Sequence, residues 1–72
     1  MSRALLDAIT DRQKEFYRNL NKIEEFQQLA KDAAYKLNDK NLAIKYLDIC
    51  DALLADNYQL HAEQIDLIRQ YR

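Results

Sequence analysis

Residues 35–47 read YKLNDKNLAIKYL, and the polar run Asn38-Asp39-Lys40-Asn41 at their centre interrupts an otherwise continuous helical pattern. The chain of 72 residues holds no Gly and no Pro, so any turn must be built from other chemistry. Asn tolerates the left-handed backbone that usually falls to Gly just past a helix C-terminus. Asp39 or Asn41 can accept a hydrogen bond from the first free amides of a new helix. A helix stop and a helix start therefore fit into about four residues, a usual length for an antiparallel helical hairpin.

Upstream of the turn, positions 6, 9, 13, 16, 20, 23, 27, 30, 34 and 37 follow the alternating three-and-four spacing of a heptad. Eight of these ten are apolar, Gln13 and Gln27 being the exceptions. That regularity predicts one long helix in a coiled-coil-like contact. The charges Lys14, Arg18, Lys22, Glu25, Lys31, Asp32 and Lys36 avoid this seam, and Asp32–Lys36 has the favourable i,i+4 order. Ser2 or Thr10 can cap the start, Thr10 with Gln13 fitting a capping box. Ser2 is the preferred start, because Leu5, Leu6 and Ile9 already belong to the stripe.

Downstream, the pattern predicts a second helix carrying two apolar stripes. One is Leu42, Tyr46, Ile49, Leu53, Leu60, Leu67 and Tyr71; the other is Ala43, Leu47, Cys50, Leu54, His61, Ile65 and Ile68. Packing on one neighbouring helix needs a stripe only about 100° wide, and this one is wider. Asp56-Asn57 is a weak spot where the helix can bend or restart; a straight helix with both residues turned outward is the expected reading. The first helix has its own surplus in Leu5, Tyr17, Phe26, Leu29 and Ala33. The expected fold is all-α: an antiparallel two-helix hairpin of about 2–38 and 41–71, forming a single domain over 1–72 and pairing into a bundle with itself or a partner.

Size supports the pairing. A chain this short buries only about 60% of its unfolded surface, so its own core is marginal. Such scaffolds usually rely on a disulfide, a metal, a partner or unusually good packing. Cys50 is the only cysteine and His61 the only histidine, which rules out an internal disulfide and an ordinary zinc site. A lone thiol fits a reducing compartment, so cytoplasm is the expectation. The opening MSRALLDAIT does not read as a signal peptide, and no run approaches the ~18 apolar residues of a membrane span.

The charge balance argues against nucleic acid. Net charge is −1. Residues 1–45 hold nine Lys/Arg against seven Asp/Glu, whereas residues 46–68 hold five acids and no base. An acidic second helix does not sit on phosphates. The one basic stripe, Lys14, Arg18 and Lys22, is diluted by Asp11 and Glu15 and reads as a solvated helix face.

Little in the sequence points to catalysis. His61 and Cys50 stand about three turns, or ~16 Å, apart along one helix and read as packed or rim residues. Asp48/Asp51 and Glu24/Glu25 lack a companion histidine or metal-ligand spacing. Without Gly there is no phosphate-cradling loop. No enzyme, no cofactor and no small-molecule ligand are expected.

Three resemblances bear on function. Residues 33–53, AAYKLNDKNLAIKYLDICDAL, look like the middle of a tetratricopeptide repeat. Ala33, Ala43-Ile44, Leu47 and Cys50 fall on its small and apolar positions, and Asn38-Asp39 on its turn; the Gly of the first helix and the terminal Pro are missing. The resemblance implies a hairpin closely packed at its turn end. In length and layout the whole chain resembles the small co-chaperones of the type III secretion needle subunit, the YscE-like family. That resemblance implies a partnership with a larger tetratricopeptide-type chaperone holding an aggregation-prone needle subunit in the bacterial cytoplasm. Residues 48–53, DICDAL, are similar to the second helix of the plasmid copy-number regulator Rop, a hairpin that dimerises and binds RNA. Lys14, Arg18 and Lys22 would be its RNA-binding analogues in role only.

The expected function is a small interaction module, a co-chaperone or adaptor, working by burial of an apolar helix face. The expected partner-binding residues are Leu47, Leu54, Tyr58, Ile65 and Ile68, with Tyr17 and Phe26. The alternative is a Rop-like homodimeric regulator binding RNA or DNA.

Overall fold

A computed structural model describes residues 3–70. Helix α1 spans Arg3–Tyr35 and helix α2 spans Lys40–Gln70. They lie antiparallel as an all-α hairpin, a rod whose Cα atoms extend 53 × 14 × 10 Å. The length follows from the helices: 33 residues at ~1.5 Å each span about 50 Å. The proposed cap Ser2 and the stripe residue Tyr71 lie outside the described residues.

The turn uses the chemistry its residues suggest. Asn38 takes the left-handed conformation, with φ 52°, and reverses the chain where Gly would ordinarily stand. The Asp32 carbonyl accepts from the amides of Lys36 (2.8 Å) and Leu37 (3.1 Å), and the Ala33 carbonyl from Asp39 (2.8 Å). These bonds satisfy carbonyls that the helix end would otherwise leave open. Asp39 is the N-cap of α2: its carboxylate accepts from the Leu42 amide at 3.0 Å, and its carbonyl takes the first helical bond, from Ala43. α1 thus ends at Tyr35 rather than at residue 38, because the left-handed Asn38 and the wide turn before it draw Lys36 and Leu37 out of the helix.

The seam between the helices keeps the expected alternation but on a shifted set of residues. On α1 it runs through Leu5, Ile9, Arg12, Phe16, Asn19, Ile23, Phe26, Ala30 and Ala33. On α2 it runs through Ala43, Tyr46, Cys50, Leu53, Asn57, Leu60, Gln64 and Leu67. All of these are buried or half-buried. Ile9, Phe16, Ile23 and Ala30 were expected there. Leu6, Gln13, Leu20, Gln27 and Leu37 were also expected there, and they are exposed. Half of the seam has therefore moved one residue back along α1, to Leu5, Arg12, Asn19, Phe26 and Ala33. The second helix explains the shift. Asn57 faces inward, and a Leu opposite it would leave its side-chain oxygen unpaired at a cost of ~1–3 kcal/mol. Asn19 instead donates to it at 3.0 Å. The same rotation puts the Phe26 ring 6.0 Å from the Tyr46 ring, where Gln27 would bury less apolar surface.

Thr10 is not a cap. It lies inside α1, where its hydroxyl donates to the Leu6 carbonyl at 2.9 Å. Asp56-Asn57 does not break α2, which is continuous through it. Asp56 is exposed, but Asn57 is turned inward and keeps only 4% of its surface. At the turn end the small residues Ala30, Ala33 and Ala43 are all buried and let the two backbones approach closely.

Candidate partner-binding surface

A helix in a heptad contact has two flanks beside its seam, and in an antiparallel pair like flanks lie on the same side of the hairpin. On one side α1 contributes Leu6, Gln13, Tyr17 and Leu20, and α2 contributes Ile44, Leu47, Leu54, Tyr58, His61, Ile65 and Ile68. All of them are exposed. Between residues 4–23 of α1 and 52–68 of α2, no charged side chain falls on this side. Toward the turn the same side carries charge: Asp51 follows the row of Ile44, Tyr58 and Ile65, Glu24 and Lys31 the row of Tyr17, and Lys40 the row of Leu47.

The opposite side is built of charge. Asp11, Glu15, Arg18, Lys22 and Glu25 of α1 stand there with Asp56, Glu63 and Asp66 of α2. Arg12 reaches over from the seam, its Nε donating to Glu63 at 2.9 Å while its guanidinium also meets the Ala8 carbonyl at 3.2 Å. Both partners of this ion pair are partly solvated, so it contributes little to stability. It does mark that side as wet. Leu29 and Ile49 are also exposed on that side, and an exposed Leu or Ile is ordinary on a folded protein.

A notch of about 260 Å³ opens in the middle of the apolar side, lined by Phe16, Leu20, Leu54, Asn57, Tyr58 and His61. Asn57, which lines it, belongs to a polar layer: it accepts from Asn19 and donates to the Phe16 carbonyl at 3.3 Å. Two short Asn side chains span the seam where larger apolar residues would fill it. Tyr58 stands beside the notch with 77% of its surface exposed.

Of the seven residues expected to bind a partner, the structure brings Leu47, Leu54, Tyr58, Ile65, Ile68 and Tyr17 to this one side. Phe26 is placed differently, half-buried in the seam against Tyr46. Leu6, Leu20, Ile44 and His61 were not anticipated there. Leu6 and Leu20 were hidden by their good fit to a seam; the wheel position of Ile44, one turn before Leu47, was a readable signal.

The two reactive side chains are far from each other in role. Cys50 is buried in the seam, and its thiol donates to the Ile23 carbonyl at 3.6 Å. Burial, and then the neighbouring Asp51 carboxylate, push its pKa up from 9.0, so it is held as an inert thiol. His61 is exposed on the notch rim. Among the described residues no three His, Cys, Asp or Glu side chains gather as a metal set. No helix among them is long and apolar enough to cross a membrane. The basic residues Lys14, Arg18 and Lys22 fan from the outer face of α1 toward its charged side, interleaved with Asp11, Glu15 and Glu25, so they form no unbroken cationic strip.

Compared with known proteins, the chain matches no family model, no curated protein and no solved structure.

Proposed function

We propose that the hairpin is a helical interaction module that binds a partner through its apolar side. The observation that carries this reading is the segregation of the surface. Over the part of the rod away from the turn, residues 4–23 and 52–68, one side is an uncharged strip rich in Leu, Ile and Tyr, and the other side is densely charged. Contiguous apolar surface of this kind marks a binding site on soluble chains. Burying each Leu or Ile contributes ~1.5–3 kcal/mol, large against the ~5–15 kcal/mol of a whole domain. The natural partner is one or more amphipathic helices laid along the groove between α1 and α2.

The mechanism is burial rather than chemistry. In its most specific form the module is a cytoplasmic co-chaperone or adaptor of the type III secretion kind, pairing with a tetratricopeptide-type chaperone. The resemblance in length and layout supports that form.

The test is affinity capture from the native host with the unmutated chain and with Leu54→Asp. Leu54 is exposed, so the variant should keep its helicity by circular dichroism and lose the captured partner. Capture unaffected by Leu54→Asp removes this reading. So does salt-sensitive RNA or DNA binding that Arg18→Glu abolishes, because that places function on the charged side.

A further inference from the structure

We infer that, with no other partner bound, the apolar side is covered by a second copy of this chain. The inference rests on the proposed reading of that side as a binding surface, and names its resting occupant.

Area is the first argument. The chain exposes 5789 Å². Folded monomers of 8.6 kDa expose about 4,700 Å² by the usual mass scaling. The excess, about 1,100 Å², exceeds the ~800 Å² that each partner buries in a standard stable interface. Two 53 Å rods laid together along their apolar sides have the length to cover an interface on that scale.

The position of the notch is the second argument. Asn19 is the midpoint of Arg3–Tyr35, and Asn57 lies within one turn of the middle of Lys40–Gln70. The hole and its neighbouring projection, Tyr58, therefore both sit at the centre of the 53 Å rod. A two-fold axis through that centre brings Tyr58 of each copy toward the notch of the other while the rods overlap along their full length. A hole near one end would force the copies to slide apart to achieve the same exchange. Isologous pairing of one self-complementary patch is also the commonest symmetry of soluble dimers.

Charge is the third argument. Like charges meeting across an interface oppose self-association, and the middle of this side carries none between its Leu54, Tyr58, His61 and Ile65 positions. A four-helix bundle results, with both charged sides turned to solvent. A foreign helix then competes with the second copy for the same residues.

Sedimentation equilibrium from low to high micromolar concentration tests this. The unmutated chain is expected to dimerise. Leu54→Asp and Tyr58→Glu, both at exposed positions, should raise the dimer dissociation constant at least roughly tenfold with helicity unchanged. Ile49→Glu, on the charged side, should leave it unchanged. A monomer at all concentrations overturns the inference, as does a dimer that survives Leu54→Asp and Tyr58→Glu but is lost in Ile49→Glu. If the chain is monomeric yet captures a helical partner through Leu54, the second copy is wrong and the binding surface stands. If it is monomeric and captures nothing through Leu54, both fail.

Discussion

The side-chain amide of Asn19 donates to the side-chain oxygen of Asn57 across 3.0 Å, with 7% and 4% of the two residues exposed. This is a polar layer inside an otherwise largely apolar seam. Asn57 also donates to the Phe16 carbonyl, and among the described residues no buried side-chain polar atom is left without a partner. A satisfied buried pair is nearly neutral for stability, whereas a broken one costs the desolvation of the orphan.

Asn57→Leu is therefore expected to destabilise the hairpin by ~1–3 kcal/mol, because Asn19 loses its partner. The double variant Asn19→Leu/Asn57→Leu should recover that loss, by burying two Leu side chains in place of two amides. Urea unfolding of the four proteins closes the cycle. Additive losses, with no recovery in the double variant, would show that the pair does not act as a unit.

Asp39→Ala should cost ~1 kcal/mol by removing the N-cap of α2. Asn38→Gly should be close to neutral, since Gly takes the left-handed backbone without strain but has more freedom to lose from the unfolded chain. Thermal and urea unfolding distinguish the two substitutions. A large loss on Asn38→Gly would mean that the Asn side chain itself holds the turn.

The shifted seam gives a pair of substitutions that the original heptad would rank alike. Ile23→Ala empties a buried position and should cost ~2–5 kcal/mol. Leu37→Ser alters an exposed turn residue and should stay within ~0.5 kcal/mol. Comparable losses at both sites would restore the unshifted seam.

Cys50 makes stability depend on alkaline pH. Its folded pKa is raised above 9.0, so the folded chain holds this proton more tightly than the unfolded one. The thiol's contribution is complete below pH 9.0 and is lost as pH rises toward and through the folded value. Unfolding free energy should therefore fall above pH 9 faster in the unmutated chain than in Cys50→Ala. Equal slopes would mean that the thiol is not desolvated. At neutral pH a thiol reagent should modify Cys50 only through hairpin opening, at a rate that rises with urea.

The hairpin itself was legible because its signals are local. Asn38-Asp39 can supply the left-handed residue and the cap in any context, and long heptads make long helices whatever they pack on. The apolar flank of α2 was legible too, since Leu47, Leu54, Ile65 and Ile68 exceed what one neighbouring helix can cover. The seam of α1 was misread, because helix 1 alone offers Leu6 and Leu20 as better knobs than Arg12 and Asn19. Asn19 and Asn57 stand equally far from Asn38 along the chain. Folding at Asn38 sets them at about the same level along the rod, and the rotation of each helix then decides whether they face.

By itself, the sequence determined two helices, the turn between them and an excess of apolar surface, because spacing and capping act within a few residues of chain. Only the tertiary structure decided which flank of α1 is covered. That choice depends on residues far along the chain: Asn57 needs an amide opposite it, and Tyr46 packs against the Phe26 ring. Once Asn19 answered Asn57, α1 turned by a fraction of a revolution, and Leu6 and Leu20 moved out of the seam to join Leu54 and Tyr58 on the open side.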